Sequence, residues 1–228
     1  AYLLLLLYFK AIGGYRPLTV DESKLRPIRA KCPFPDGNPA ARSPGCHFFR
    51  PCYFRRMTAL RLPNFISIAD YLSGEEISGV KHEYLGGTVH AMAGASNQHN
   101  TISGNCLGAL LNQLRGKSCR PFNSDTKVRI EFPDHTRFYY PNAMVVCHPN
   151  PMTDHFQDRP VVVIEVLSES TRRADLGEKR DAYLAVPSLK VLLFVESDFP
   201  AVTVHRRSSE GGFAIEHFTG MDEIIPLT

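Results

Sequence analysis

No apolar run in this 228-residue chain is long enough to cross a bilayer. The stretch AYLLLLLYF at residues 1–9 falls well short of the ~20 residues a helical span needs. No basic stretch precedes it and no small-residue cleavage site follows it, so it also makes a poor signal peptide. The six cysteines contain no C-x2-C pair, which removes the usual zinc ribbon or finger and leaves only a weak hint around Cys46-His47 and Cys52. No helix-turn-helix, basic stripe or internal repeat is present, so neither an autonomous DNA-reading module nor a solenoid is indicated.

Charge is unevenly spread. The formal net charge is +3, but residues 1–56 carry 10 Lys+Arg against 3 Asp+Glu, and the remainder carries 16 against 20. The basic excess belongs to the first segment, and the mildly acidic remainder gives no ground for nonspecific nucleic-acid affinity. Residues 13–56 are rich in Pro, Arg, Gly and Cys without a helical or strand period, and the first methionine is Met57. The expectation is two segments: 1–56, upstream sequence or a disordered extension, and 57–228, one folded domain. Its size allows a core without staples, so the scattered cysteines are expected to be reduced thiols in a cytoplasmic protein.

After Met57 the pattern is regular. Ser67-x-x-Asp70 predicts the start of a short helix, and two strand-like runs around Gly86-Gly87 predict a hairpin. Ile102, Cys106, Leu107, Leu110, Leu111 and Leu114 fall at helical spacing between Asn97 and Arg115, with Gly116 placed to stop the helix. Strands are expected at 119–132, 138–147 and 160–168, a helix at about 173–185, and three more strands at 189–197, 201–208 and 212–218. KVLLFV is apolar on both faces and so belongs in the middle of a sheet. The class is α/β (α+β), a mixed sheet with flanking helices.

Val161–Ser168 (VVVIEVLS) places one carboxylate in an apolar strand. Alternation puts Val161, Val163, Glu165 and Leu167 on one face. A buried Glu165 needs a cation or hydrogen-bond donors. Two explanations stay open on the residues alone: a strand-end carboxylate paired with Arg or water, or a metal ligand. Asp175, Lys179 and Tyr183 recur at i, i+4, i+8 and share a helix face, which also suits an ordinary ion pair. Glu83 and Asp125 read equally well as surface residues.

Together, YLSGEEISGVKHEYLGGTVHAMAGASNQHNTISGN, NSDTKVRI, YYPNAMVVC, VVVIEVLSESTRRADLGEKRDAY and PSLKVLLFVE resemble, in order, the Uma-two family of restriction-endonuclease-like proteins over about 67–228. This is a branch of the PD-(D/E)xK nuclease superfamily. The resemblance implies a restriction-endonuclease-like core, Mg²⁺ (or Mn²⁺) as cofactor and DNA as substrate, with a homodimer a common arrangement for cutting both strands. It implies Glu165 and Lys179 as catalytic residues, and Glu165, Asn142 and Glu83 around the metal, with Asp125 a further candidate. The chain departs from the family where Tyr-Pro-Asp becomes Tyr140-Pro141-Asn142, which exchanges a charged donor for a neutral carbonyl and predicts weaker metal binding. A metal-dependent DNA endonuclease, a degenerate nuclease fold used for binding or assembly, and a decayed gene product are the three outcomes this allows.

Overall fold

Proline lacks the N–H that a ladder needs and disfavours helix in the residue before it. Both effects fall at Tyr140-Pro141-Asn142, and there the polypeptide leaves one sheet and enters another. The computed structural model describes residues 4–5, 65–220 and 223–227. Except for Leu4 and Leu5, the expectations for 1–56, including the Cys46–Cys52 hint, lie outside the described residues.

Three helices are described: α1 (Ile68–Ile77), α2 (Asn97–Leu114) and α3, which runs through Arg172–Ala174, a π-helical turn Asp175–Lys179, and Arg180–Leu184. The Ser67 hydroxyl accepts from Asp70 N at 3.1 Å and donates to its carboxylate at 2.7 Å, so the expected cap forms. Ser96 caps α2 in the same way, accepting from His99 N. Strands β2 (His82–Leu85) and β3 (Thr88–Ala91) make the expected hairpin, with Gly86 at φ 56° and Gly87 at φ 102°, a region where only glycine sits without strain.

Where one mixed sheet was expected, the described residues contain two large mixed sheets. The predicted strand 119–132 is β4 (Arg120–Asn123) and β5 (Lys127–Glu131). The predicted 138–147 is β6 (Thr136–Tyr139) and β7 (Ala143–Val146). Each splits between sheets. The first sheet has the order β12-β11-β10-β9-β7-β4, with β9 (Pro160–Leu167), β10 (Val191–Glu196), β11 (Val202–Arg207) and β12 (Phe213–Phe218). The second runs β3-β2-β6-β5-β8, with β8 at Phe156–Gln157. Leu4–Leu5 (β1) pairs with Ile225–Pro226 (β13). Among the described strands, only β9–β10 and β5–β8 are parallel.

The two faces of the six-stranded sheet build two cores. Ile102, Cys106, Leu110 and Leu114 of α2 pack against Val162, Ile164 and Val166. Val163 and Leu167 face Tyr183 and Ala182 of α3, together with Val128, Ile130 and Tyr139 from the second sheet. The strand of KVLLFV is central and wholly buried up to Val195, as its two-sided apolar pattern requires.

The expectation of reduced thiols fails at Cys119 and Cys147, which are disulfide-bonded. They flank β4 and β7, where Arg120 pairs with Val146, so continuing that register sets 119 opposite 147. A separation of 28 residues shows no framework spacing, because strand pairing and not sequence distance brings the sulfurs together. Cys106 is a buried free thiol of the α2 core.

Candidate active site

Alternation along β9 sends Glu165 to the α3 face, and the residue is 3 % exposed. The loop after it is held by the hydroxyls of the SESTRR stretch. Ser168 Oγ lies 2.8 Å from Thr171 Oγ1 and accepts from Thr171 N, and Ser168 O accepts from Arg172 N at 2.9 Å. Arg172 then clamps Glu196 at the end of β10 through both guanidinium nitrogens. The loop thus starts α3 directly over the ends of the two parallel strands.

The π-helical turn keeps Asp175 and Lys179 on the sheet side, both buried. Lys179 Nζ lies 2.6 Å from Glu83 Oε1, 3.2 Å from Asp175 Oδ1 and 4.0 Å from Glu165 Oε1. Tyr183, one turn further on, donates to Glu165 Oε1 at 2.7 Å. Of the sequence candidates, Glu165, Lys179 and Glu83 therefore meet, from β9, α3 and β2 of the other sheet. Asp125 does not join them; it binds Lys81 at 2.5 Å.

Two buried acids, Glu165 and Asp175, and the half-buried Glu83 share one ammonium. Burial pushes the Glu165 carboxyl up to about 7, with Lys179 opposing and Asp175 and Glu83 reinforcing. Burial raises Glu83 as well, again against Lys179. Burial alone would lower Lys179, but Glu165, Glu83 and Asp175 together hold its ammonium above the ordinary lysine value. Tyr183 is raised far out of the neutral range by burial and by Glu165, so it acts here as a donor.

Asn142 takes another part. Strand β7 begins at Ala143, opposite Ile164, so the ladder on that side of β9 ends before Val166. The Asn142 side chain replaces the missing rung: its Oδ1 accepts from Val166 N at 2.8 Å. On the same residue, Val166 O lies 3.0 Å from His99 Nε2. The residue that follows Glu165 is therefore held at its N–H by one side chain and at its carbonyl by another. His99 was missed in the sequence. It sits one turn before Ile102 and Ser103 on the buried stripe of α2, and a histidine on an apolar stripe was the available signal.

Removing the Asn142 acceptor leaves a backbone N–H unpaired. Asn142→Ala is expected to lose about 1–3 kcal/mol in urea unfolding, whereas Asn142→Asp, which keeps an acceptor oxygen, holds most of that stability. Equal losses in both variants would show that the Val166 bond is not what the side chain contributes.

Glu165, Asn142, Asp175, Lys179 and His99 line a cleft of about 1050 Å³. The fold and this site can now be set beside known proteins. Residues 68–228 match the family described as "Uma2: Putative restriction endonuclease". The chain belongs to the Uma2 family.

Similar to this Uma2 chain is the uncharacterized protein slr1290 of Synechocystis sp. (strain ATCC 27184 / PCC 6803 / Kazusa), 32 % identical over 160 residues, or 70 % of this chain and 83 % of that protein. A second uncharacterized protein of the same strain, sll1609, is 28 % identical over 143 residues, 61 % of this chain and 80 % of its own length. Among solved structures, the chain resembles "a putative nuclease belonging to DUF820" from Anabaena variabilis ATCC 29413, with TM-score 0.56 and 17 % identity over 71 % of this chain and 88 % of that one. The last likeness establishes the fold: a nuclease-like mixed α+β core. Among the described residues, no helix is long and apolar enough to cross a membrane.

Whether the Mg²⁺ or Mn²⁺ expected from the sequence resemblance suits this chain turns on its donors. Carboxylate oxygens are the right chemistry for a hard divalent ion. With three acids against one ammonium, the site carries a surplus of negative charge, and Asp175 and Glu83 add to the burial that raises Glu165. In donor type and charge the pocket fits Mg²⁺ or Mn²⁺. It is not a preassembled cage: among the described residues, no group of three or more His, Cys, Asp and Glu stands at metal-holding geometry.

Proposed function

We propose that this chain is a Mg²⁺- or Mn²⁺-dependent DNA endonuclease of the cytoplasm that hydrolyses phosphodiester bonds in the Glu165 cleft. The observation that supports it best is the meeting of Lys179 with Glu83, Asp175 and Glu165, of which Lys179, Asp175 and Glu165 are buried in the wall of one cleft. Glu165 and Glu83 would hold the ion, with the second lone pair of Asn142 Oδ1 as a neutral donor. An ion held there supplies a polarised phosphoryl oxygen and a bound water of lowered pKa.

The chain's own groups do the rest. Glu165 must be ionised to act as a donor, so activity is expected to rise with pH through about 7. Lys179 offers its ammonium protons to the developing charge on the phosphorane or to the attacking water. The Tyr183 hydroxyl fixes which way the Glu165 carboxylate faces. Arg172 and the Ser168–Thr171 turn keep α3, and with it Lys179, in place over the strand ends.

A second reading has its own support. Asn142 is neutral and already bound to Val166, and Lys179 occupies the centre of the acids. That arrangement suits a nuclease fold kept for binding without turnover.

The full-length protein, incubated with single- and double-stranded DNA and Mg²⁺ or Mn²⁺, separates the two. Metal-dependent cleavage is expected, lost in Glu165→Ala. Asn142→Asp is expected to raise the rate and tighten Mn²⁺ by about tenfold, because it adds a charged donor. If neither the natural protein nor Asn142→Asp responds to metal while both are folded, the binding reading replaces the nuclease.

A further inference from the structure

Lys127 is 5 % exposed, yet among the described residues its ammonium makes no hydrogen bond or ion pair. Its contact is the ring of Tyr140, 5.1 Å from Nζ to the centroid. The side chain is packed, and its nitrogen opens onto a cleft with the aromatic face beside it and no bond to a protein acceptor. Burial accordingly lowers its pKa, while Glu75 and Glu76 work in the opposite direction. Lys179, the other lysine in the buried set, is surrounded by acids. Lys127 has no anion in direct contact among the described residues, Glu75 and Glu76 acting on it only from a distance.

Lys127 lines a second cleft, of about 630 Å³. The acids around that cleft have partners of their own. Glu75 accepts from the Tyr140 hydroxyl at 2.6 Å and from His82 N at 3.2 Å, and lies 2.7 Å from His82 Nδ1. Glu76 faces His155 at 3.8 Å. Asp125 holds Lys81, whose Nζ also stands 5.6 Å from the Tyr140 ring. The bond to Glu75 fixes the phenol, so one immobilised ring sits beside two ammonium groups. The ligand missing from this arrangement is an anion.

The position of the second cleft says which anion. Gly79, Val80, Lys81 and Tyr140 line both clefts, which therefore adjoin. We propose that Lys127, with Lys81 beside it, receives a backbone phosphate of the same nucleic-acid strand whose scissile phosphate lies at Glu165. This rests on the nuclease reading of the Glu165 cleft and deepens it: the substrate is a polyanion long enough to fill both clefts, gripped on one side of the scissile bond. A phosphate supplies the acceptor oxygens that Lys127 lacks and leaves the Lys81–Asp125 and Glu75–Tyr140 contacts in place.

The test uses the full-length protein in a Glu165→Gln background, so that binding is read without cleavage. Affinity for a labelled single-stranded oligonucleotide is measured across a salt series. Lys127→Met is expected to weaken binding about tenfold and to flatten the log–log salt slope by about 0.7, the loss of one phosphate contact. Lys127→Arg keeps the slope. A scan replacing one phosphate at a time by a neutral methylphosphonate reads the same contact with Lys127 intact: one position should weaken binding there and have no effect in Lys127→Met. Inorganic phosphate at millimolar concentration should compete no better than chloride at equal ionic strength if the strand, not a free ion, is the ligand.

Unchanged affinity and slope in Lys127→Met, or additive effects at every scanned phosphate, overturn the subsite and leave cleavage at Glu165 standing. Efficient competition by inorganic phosphate overturns it in favour of a free-anion site. A parent protein that binds no oligonucleotide overturns the subsite and the DNA substrate together.

Discussion

Lys179→Met is expected to lower the unfolding free energy by about 3–5 kcal/mol at pH 8, the scale for breaking a buried ion pair from one side. The residue is buried and its ammonium stands 2.6 Å from Glu83 and 3.2 Å from Asp175, so its removal leaves largely desolvated acids without their cation. Methionine fills a similar volume, which keeps the cavity contribution small. The loss must also depend on pH. Without the ammonium, which opposes the rise at both, the folded-state pKa values of Glu83 and Glu165 rise further. A carboxyl raised in the folded state contributes stability below its unfolded pKa and loses it as pH rises through the folded one. The deficit should therefore shrink at pH 5 and be largest at pH 8. Urea unfolding at both values is the measurement, and a loss under about 1 kcal/mol at pH 8 would mean that the acids find other compensation.

Glu165→Gln is expected to act in the opposite direction on stability while abolishing metal-dependent cleavage. The carboxyl titrates at about 7 in the fold against an ordinary value of 4.5, with burial as the leading cause. Between those values the unfolded chain has released a proton that the native state keeps, so wild-type stability falls as pH rises through that window. Glutamine removes that slope. It still accepts from the Tyr183 hydroxyl, and what it gives up is the longest of the three Lys179 contacts, at 4.0 Å, while Glu83 and Asp175 keep theirs. At pH 8 the variant should be more stable by on the order of 1–3 kcal/mol, with a shallower fall in stability from pH 5 to 8, because the raised Glu83 remains. A variant that is less stable and keeps the wild-type slope would show that Glu165 is not the group holding the proton. Opposite signs at two residues 4.0 Å apart are what a surplus of buried negative charge predicts.

The elements were legible where local chemistry alone shapes them. Ser67 and Asp70 announced the first helix, Gly86-Gly87 the hairpin, and the two-sided apolar run of Val191–Val195 a central strand. The boundaries that failed are those where partners decide. Nothing local divides 119–132 or 138–147, because a strand is ended by the loss of a neighbour as much as by its own residues. The same reason hid the disulfide, whose cysteines meet only through the β4–β7 register.

Period-two alternation determined, from the sequence by itself, that Glu165 would point to the face of Val163 and Leu167 and that a carboxylate there would need a cation. Helical spacing determined that Asp175, Lys179 and Tyr183 would share one face. Which cation answers which acid was decided only by tertiary structure. Glu83 comes from a different sheet, and its approach to Lys179 depends on how α3 lies across the strand ends. The role of Asn142 was decided there too: its side chain stands in for a rung that the ladder lacks, which shows only once β7 is seen to begin one residue later. Alternation and helical period are short-range steric properties carried by each residue. Charge compensation and ladder completion are properties of pairs far apart in the chain, and folding alone brings those pairs together.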